Sequence, residues 1–255
     1  KSNSAETETM NEKENHIKKI GILQCDDVLE KFQPEFGTYP SMLITLFKSI
    51  RPHYQFIIYD VRENQYPTHY NDCEAYITTG SRHGVNDKLP WLEPFFNFIR
   101  TLHQHQHPCI GICFGHQAIA KALGGEVKLS DKGWGVGLSE NLSTNSSATN
   151  QTWMQPPTNP LRIIVSHKEQ VTQLPETAEL LYQSEFCPNY LFKVENHILS
   201  VQGHPEFNKA YSKTLMQHRR DLIPADVMSQ GLASLDNSAD DIALAKWIVQ
   251  FIENR

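Results

Sequence analysis

The chain lacks the features that direct a protein to membranes or nucleic acids. It has no apolar run long enough to cross a bilayer. Its net charge is −6, and no basic stripe with interleaved aromatic residues is present. The first residues are polar, without the apolar stretch of a signal peptide. We therefore expect a cytoplasmic protein that binds neither membranes nor nucleic acids.

Cysteine is scarce, and five cysteines in 255 residues do not suggest a disulfide framework. The run from His103 to His107 has no cysteine or carboxylate at a known metal-ligand spacing, so it indicates a helix end rather than a metal site. No ATP-binding P-loop pattern occurs, and we expect neither metal nor cofactor. Four cysteines are expected to be reduced, mainly structural thiols: Cys25, Cys73, Cys109 and Cys187.

One cysteine has the sequence surroundings of a nucleophile. Cys113 has glycine two residues away on either side, follows the apolar segment 108–112 and precedes a run of helix-forming residues that ends at Gly124. This pattern predicts a strand, a tight turn and a helix, as in a nucleophile elbow. The positive end of the helix would favour the thiolate form of Cys113. The alternative is a buried cysteine at a strand end with incidental glycines.

A second motif offers the base that a thiol nucleophile needs. His204 follows the apolar strand predicted at 198–202, and Glu206 lies two residues further on. An imidazole can accept the thiol proton and later donate it to a leaving amine. Glu206 could hold His204 in the required tautomer, which would give a Cys-His-Glu triad. Taken alone, His204 could equally be an ordinary loop histidine.

Together the two motifs resemble the class I glutamine amidotransferase family, whose signature is G-x-C-x-G-x-Q followed much later by H-P-E. The resemblance covers roughly Lys18 to Lys213. It implies hydrolysis of a γ-glutamyl amide through a thioester on Cys113. His204 would act as general base and then general acid, and Glu206 would orient it.

Hydrolysis of an amide also needs donors for the developing oxyanion. The N–H of Phe114, directly after the nucleophile, is one candidate. Gly80, at the end of a predicted strand, resembles the family's second donor and is our other candidate. Many family members carry Gly-Gly-Pro there, whereas this chain has Thr79-Gly80-Ser81, which without the family resemblance would simply indicate a turn.

Three further residues are expected to contact the substrate because of the resemblance. Gln117 lies one helical turn after the nucleophile, and Ser166 and His167 begin a segment similar to the family's Ser-His-x-Asp-x-Val. The family uses main-chain groups of this segment. Here Lys168 and Glu169 replace the Gly-Asp of guanylate-synthesising relatives, so that particular pathway is not indicated. His167 could also be an ordinary loop histidine.

Apolar strands alternate with helical segments in the first half of the chain. The pattern predicts an α/β fold, a three-layer αβα sandwich with a mostly parallel, flavodoxin-like or Rossmann-like sheet. Shorter strands after Gly125 predict a small antiparallel sheet. We expect a mobile tail at 1–16, one amidotransferase-like domain at 17–255, an exposed loop at Ser143 to Asn159, and C-terminal helices at 207–220 and 238–254.

Three functions remain open at this point. The chain could release ammonia from glutamine, either alone or for a separate synthetase. It could instead be a free-standing γ-glutamyl peptidase acting on glutathione-like peptides, because it resembles a subgroup with Cys-Phe-Gly-His-Gln and Ser-His-Lys-Glu-Gln-Val. It could also be a binding or regulatory module that keeps only the fold. Intact Cys113, His204 and Glu206 argue against the last of these.

Overall fold

Strands and helices alternate along the computed structural model, which describes residues 19–144 and 151–254. Within these residues the strands are β1 (Lys19–Gln24), β2 (Gln55–Asp60), β3 (Ala75–Thr78), β4 (Cys109–Ile112), β5 (Glu126–Leu129), β6 (Gly135–Ser143), β7 (Leu161–His167), β8 (Glu169–Gln173), β9 (Ala178–Gln183), β10 (Leu191–Val194) and β11 (Ile198–Val201). The α-helices are α1 (Gln33–Phe36), α2 (Tyr39–Lys48), α3 (Leu92–Gln104), α4 (Phe114–Ala122), α5 (Lys209–His218), α6 (Ala225–Ser234) and α7 (Asp241–Glu253).

Nine of the strands form one large mixed sheet in the order β2-β1-β3-β4-β11-β10-β9-β6-β7. The pairs from β2 to β11 are parallel, and the pairs from β11 to β7 are antiparallel. Strands β5 and β8 form a separate two-stranded antiparallel sheet. The predicted α/β fold class is confirmed, and most of the antiparallel strands extend the main sheet rather than forming a second one.

Two apolar clusters cover opposite faces of the sheet. Helices α2 and α7 pack with Ile20 and Ile22 of β1 in one cluster, whereas α3 and α4 pack with Leu23 in the other. The alternation along β1 follows from the two-residue period of a strand. Central strands β3, β4 and β11 are buried throughout because helices cover both of their faces.

Helix α3 shows how the sequence selects its packing face. Its buried residues recur every three or four positions, which places them on one side of a helix. These residues are Leu92, Phe95, Phe96, Ile99 and Leu102. Helix α7 is buried more extensively and contributes Trp247 and Phe251 to the core. Among the described residues, no helix combines the length and apolarity that a bilayer span requires.

The structure departs from the exposed loop expected at 143–159. Ser143 belongs to β6, and residues 145–150 lie outside the described part of the chain. The expectation of exposure is wrong for Trp153 and Met154, which are buried. Trp153 packs edge-on against Phe251 of α7, with ring centroids 5.1 Å apart. Because most residues of the segment are polar, its composition gave no indication that Trp153 and Met154 are buried.

The domain division stays a prediction, and the proposed tail at 1–16 lies outside the described residues. The predicted C-terminal helices occur as α5 and α7. Helix α6 was not predicted, and its contact with β6 adds a covering layer at the antiparallel end of the sheet. The five cysteines, all within the described residues, are free.

Candidate active site

Cys113 occupies the turn between β4 and α4 with an unusual backbone conformation, φ 53° and ψ −102°. A non-glycine residue in such a conformation is strained, and strain of this kind is concentrated at functional sites. The turn is also tightly packed. A β-carbon at Gly115 would overlap Thr78, and one at Gly111 would lie 2.9 Å from the Gly115 backbone. The two glycines of the motif therefore allow β4 and α4 to meet in a sharp corner.

His204 lies beside this corner and is held from two sides. Its Nδ1 lies 2.6 Å from Oε1 of Glu206, and its ring stacks on Phe207 with centroids 3.8 Å apart. The backbone N–H of His204 donates to the carbonyl of Ile164 at 2.8 Å. Both His204 and Glu206 have nearly inaccessible side chains. The imidazole therefore has one defined orientation, with its Nε2 side turned away from the carboxylate.

Burial by itself lowers the pKa of His204, but the neighbouring Cys113 and Glu206 side chains outweigh this effect and raise it to about 10. An opposite charge or an acceptor close to an imidazole favours its protonated form. The arrangement therefore stabilises an imidazolium next to the thiol.

Sheet order explains how residues distant in sequence become neighbours. Strand β11 pairs in parallel with β4, with Val201 opposite Ile112, so both chains leave the sheet at the same edge. The N–H of Cys113 donates to the carbonyl of Val201 at 2.9 Å. Strand β3 flanks β4 on its other side and ends just before Gly80. The structure thus brings together Cys113, His204, Glu206 and Gly80.

The two expected oxyanion donors lie beside the thiol. Phe114 is the first residue of α4, so its N–H has no acceptor within the helix. Gly80 is buried, and a β-carbon there would lie 3.7 Å from Cβ of Cys113. Thr79 fixes the loop, because its Oγ1 accepts from the N–H of Cys25 at 2.8 Å and donates to the carbonyl of Gly80 at 2.9 Å.

Asp26, which was not identified from the sequence, also holds the loop that contains Gly80, through its contacts with Arg82. This carboxylate is only 3% exposed, and it accepts from Nε and Nη2 of Arg82 at 2.8 and 2.9 Å. It also accepts from the backbone N–H of Arg82 at 2.9 Å. Two residues before Arg82 lies Gly80, so the ion pair helps to define the position of the Gly80 amide.

The expected substrate residues Gln117, Ser166 and His167 lie at the site, but the side chains of Gln117 and Ser166 are already engaged. Gln117 donates through Nε2 to the carbonyl of Glu169 at 2.7 Å and to Oε1 of Gln202 at 3.2 Å. The Ser166 carbonyl lies 3.8 Å from Sγ of Cys113, and its hydroxyl accepts from Arg219 at 2.9 Å. The Ser166 carbonyl therefore borders the thiol, and Gln117 contacts Gln202, whose own amide nitrogen lies 3.4 Å from the Cys113 sulfur.

Gln202 is a second residue that the sequence did not single out. It is fully buried at the end of β11, and its Nε2 lies 3.4 Å from Sγ of Cys113. A side-chain amide donor at this position stabilises negative charge on sulfur. Its only sequence signal is its place two residues before His204, at the carboxyl end of a buried strand.

A cavity of about 180 Å³ opens in front of Cys113 and carries charges of both signs. The basic groups on its walls are Arg82, Lys168 and Arg219, and the acidic groups are Asp87 and Glu169. Burial, reinforced by the charge of Asp87, raises the pKa of Glu169. Asp87 and Arg219 were not predicted as site residues. Within the described residues no group of three histidine, cysteine or acidic side chains is placed to hold a metal ion.

Comparison with known proteins identifies the family of the chain. The family model for glutamine amidotransferase class I matches residues 73–220. The chain therefore belongs to the class I glutamine amidotransferase family. Cys113, His204 and Gly80 all lie within the matched region.

Two curated relatives match the chain over most of its length. It is 30% identical over 193 residues to gamma-glutamyl peptidase 3 of Arabidopsis thaliana, covering 74% of this chain and 76% of the relative. It is also 28% identical over 247 residues to a glutamine amidotransferase-like protein of Schizosaccharomyces pombe, covering 91% and 98%. The solved structure of a glutamine amido transferase from Methylobacillus flagellatus has a TM-score of 0.67, is 20% identical, and covers 93% and 92% of the two chains, which shows the shared fold.

Proposed function

We propose that the chain hydrolyses γ-glutamyl amides with Cys113 as nucleophile, His204 as proton carrier and Glu206 as its orienting carboxylate. The observation that carries this proposal is the strained corner at Cys113 beside a histidine whose Nδ1 lies 2.6 Å from a buried carboxylate. Such a nucleophile, base and orienting group define the geometry of acyl-transfer triads.

The reaction proceeds in two halves. The thiol proton of Cys113 first passes to His204. Sγ then bonds to the γ-carbonyl carbon as the C=O π bond opens, and the resulting oxyanion accepts from the N–H groups of Gly80 and Phe114. The C–N bond then breaks, and the leaving ammonia or amine takes a proton from His204. Water attacks the thioester, His204 takes one of its protons, and glutamate leaves with restoration of the thiolate.

The charges of the small cavity suit the α-amino-acid end of a γ-glutamyl group. That end carries an α-ammonium and an α-carboxylate, and the cavity walls offer both an acidic pair, Asp87 with Glu169, and a basic pair, Lys168 with Arg219. Charge-assisted hydrogen bonds of both signs select a zwitterion over a simple acid or amine. Recognition of the glutamyl end would then be the same for glutamine and for a γ-glutamyl peptide.

The nature of the leaving group separates the two enzymatic candidates. Similarity to gamma-glutamyl peptidase 3 supports a γ-glutamyl peptide, which leaves an amine rather than ammonia. Glutamine as substrate, with a separate synthetase accepting the ammonia, is the other candidate. A module without catalysis is the third, and it would not need the strained conformation of Cys113.

The deciding experiment is turnover of glutamine and of glutathione by the purified chain, with and without cell extract. We expect release of glutamate, and labelling of Cys113 by a glutamine-mimicking electrophile detected by mass spectrometry. Cys113→Ala should abolish turnover. Cys109→Ala is the matched control, because Cys109 is a buried thiol at the other end of β4. Normal turnover by the Cys113→Ala variant would refute the proposal.

A further inference from the structure

Phe207 carries the ring on which the proposed base His204 stacks. The two rings are almost parallel, with 5° between their planes and centroids 3.8 Å apart. Phe207 is buried, and the ring of Tyr39 also lies nearly parallel to it, at 22° and 5.8 Å. Aromatic rings prefer a few packing geometries, so each ring restricts the tilt of the next one. Tyr39, far from His204 in sequence, is therefore connected to the imidazole through one intervening ring.

Tyr211 holds this stack from the side. Its ring meets Phe207 edge-on at 4.8 Å and 82°, and its hydroxyl lies 2.8 Å from the hydroxyl of Tyr39. Burial raises the pKa of both hydroxyls, so both keep their protons and can maintain this hydrogen bond. The N–H of Tyr211 donates to Oδ1 of Asn208, the N-cap of α5, at 2.7 Å. The hydroxyl contact thus joins α2 to the segment that carries the base.

A carboxylate anchors Tyr39 at the start of its helix. Tyr39 is the first residue of α2, and its N–H donates to Oδ1 of Asp27 at 3.0 Å. A carboxylate here satisfies a free N–H group and faces the positive end of the helix. The N–H of Asp27 donates to Asp26, the carboxylate that binds Arg82. The segment after β1 therefore contacts both the loop of the proposed oxyanion donor and the ring stack of the base.

The imidazole needs a second restraint besides its carboxylate. The contact between Nδ1 of His204 and Glu206 fixes the direction of one ring atom. The plane of the ring depends on the surfaces that pack against it, and Phe207 supplies one of them. Because a misplacement of about 1 Å can lower a rate about a hundredfold, a tilt of this ring would impair proton transfer at the thiol.

We propose that Tyr39 is a positioning residue that sets the plane of the His204 ring through Phe207. Asp27 and Tyr211 hold Tyr39 in place. This inference rests on the proposed function and adds a residue on which the orientation of the base depends. Among the described residues, Tyr39 is not one that lines the cavity in front of the thiol, so it acts on the base and not on the bound substrate.

The first test compares Tyr39→Leu with Tyr39→Phe in steady-state turnover of glutamine and glutathione. Leucine removes the ring, and we expect kcat to fall about tenfold while KM stays within about twofold. Phenylalanine keeps the ring and loses only the hydroxyl, so it should recover most of the lost rate. Phe32→Leu is the matched control and should stay near the original rate, because Phe32 is a partly buried aromatic residue that packs against His218 of α5.

A second pair of variants tests the anchor. Asp27→Asn keeps an oxygen that can accept from the N–H of Tyr39, whereas Asp27→Ala removes it, so only the alanine variant should repeat the loss in kcat. This pair also keeps the inference testable if Tyr39→Leu does not fold, which circular dichroism checks. Equal kcat in Tyr39→Leu and Phe32→Leu, or a loss that appears only in KM, would overturn the inference.

Alkylation separates failure of this inference from failure of the proposed function. The rate at which iodoacetamide modifies Cys113, followed by mass spectrometry, depends on the thiolate and its imidazole partner and needs no γ-glutamyl substrate. Tyr39→Leu should slow it about fivefold at pH 7, and Phe32→Leu should not. Unchanged alkylation in Tyr39→Leu contradicts the positioning role. Slowed alkylation, together with no turnover of either substrate by the unmodified protein, would support the positioning role and refute the proposed function alone.

Discussion

A β-carbon at Gly80 would lie 2.7 Å from Cε1 of His204, closer than two non-bonded carbon atoms can approach each other. The absence of a side chain at Gly80 therefore sets how near the imidazole can come to the loop after β3. Because the same hypothetical atom is 3.7 Å from Cβ of Cys113, Gly80 lies against both reacting groups. One glycine thus serves as a proposed oxyanion donor and as the space that admits the base.

Gly80→Ala should lower kcat about a hundredfold or more, the typical loss for a disturbed oxyanion donor. The added methyl group displaces His204 or the loop, whereas substrate binding in the charged cavity is largely kept. Steady-state kinetics should therefore show a change in kcat with little change in KM. Ser81→Ala, one residue further along the loop, is the control and should stay near the original rate. Unaltered kcat in Gly80→Ala would contradict the placement of the donor.

Glu206→Gln should reduce kcat roughly a hundredfold, less than Cys113→Ala does, because orientation of the imidazole is partly kept by stacking on Phe207. The pKa of His204 should fall from about 10, since the carboxylate is one of the groups that raise it. A raised pKa stabilises the folded state fully below the ordinary value of about 6.5, and this stabilisation is lost as the pH rises through the folded value. NMR titration of the His204 ring measures the shift, and an identical titration in the variant would contradict the coupling.

Asp26→Asn should lower both stability and kcat. Loss of a buried carboxylate that receives three hydrogen bonds from Arg82 should cost roughly 1 to 3 kcal/mol, below the value for a fully buried pair because the Arg82 side chain is half exposed. Urea unfolding and steady-state kinetics measure the two effects. Arg62→Ala is the control, because Arg62 approaches Asp26 only at 3.5 Å. Full activity with lost stability would show that Asp26 does not position Gly80.

Stability should fall between pH 7 and pH 5 because of two buried neutral histidines. Burial lowers the pKa of His116 to about 3 and of His167 to about 4, so in this range the unfolded chain binds the protons. Stability then decreases as the pH falls below about 6.5, by roughly 2 kcal/mol for each residue at pH 5. Urea unfolding of the unmodified chain and of His116→Gln measures this. The variant should show a visibly shallower slope, and equal slopes would contradict a buried neutral His116.

Trp153→Ala should destabilise the protein by roughly 3 to 5 kcal/mol, because a buried aromatic side chain that packs against Phe251 of α7 is replaced by a cavity. Activity at low temperature should be unchanged, since neither Trp153 nor α7 lines the cavity in front of Cys113. Thermal or urea unfolding measures the loss. Pro157→Ala, an exposed change in the same segment, is the control. Equal stability of the two variants would show that Trp153 does not anchor the segment.

Much of the fold followed from local pattern. Short apolar strands and amphipathic helices such as α3 have periods that the sequence displays directly, and the α/β class and the family were predicted correctly. Helix α6 was missed because only Gly231 of its residues is fully buried, which leaves no strong apolar stripe. The buried state of Trp153 was missed because neighbouring polar residues dominate the local composition.

The site was predictable where a motif imposes local geometry and unpredictable where contacts cross the sheet. Cys113 and its flanking glycines define a turn by themselves. Gln202, Asp26 and Asp87 carry no such signal, because each interacts with a residue far away in sequence: Cys113, Arg82 and Glu169 respectively.

The sequence by itself determined that a thiol sits on a tight turn, that a histidine and a carboxylate follow a later strand, and that the strands alternate with helices. These properties depend on residues within a few positions of one another. Tertiary structure decided that β11 lies beside β4 and that Gly80, in the loop after β3, lies against both the His204 imidazole and Cys113. Such relations depend on which strands pair and on how side chains fill the space between them, and neither is encoded in any short segment.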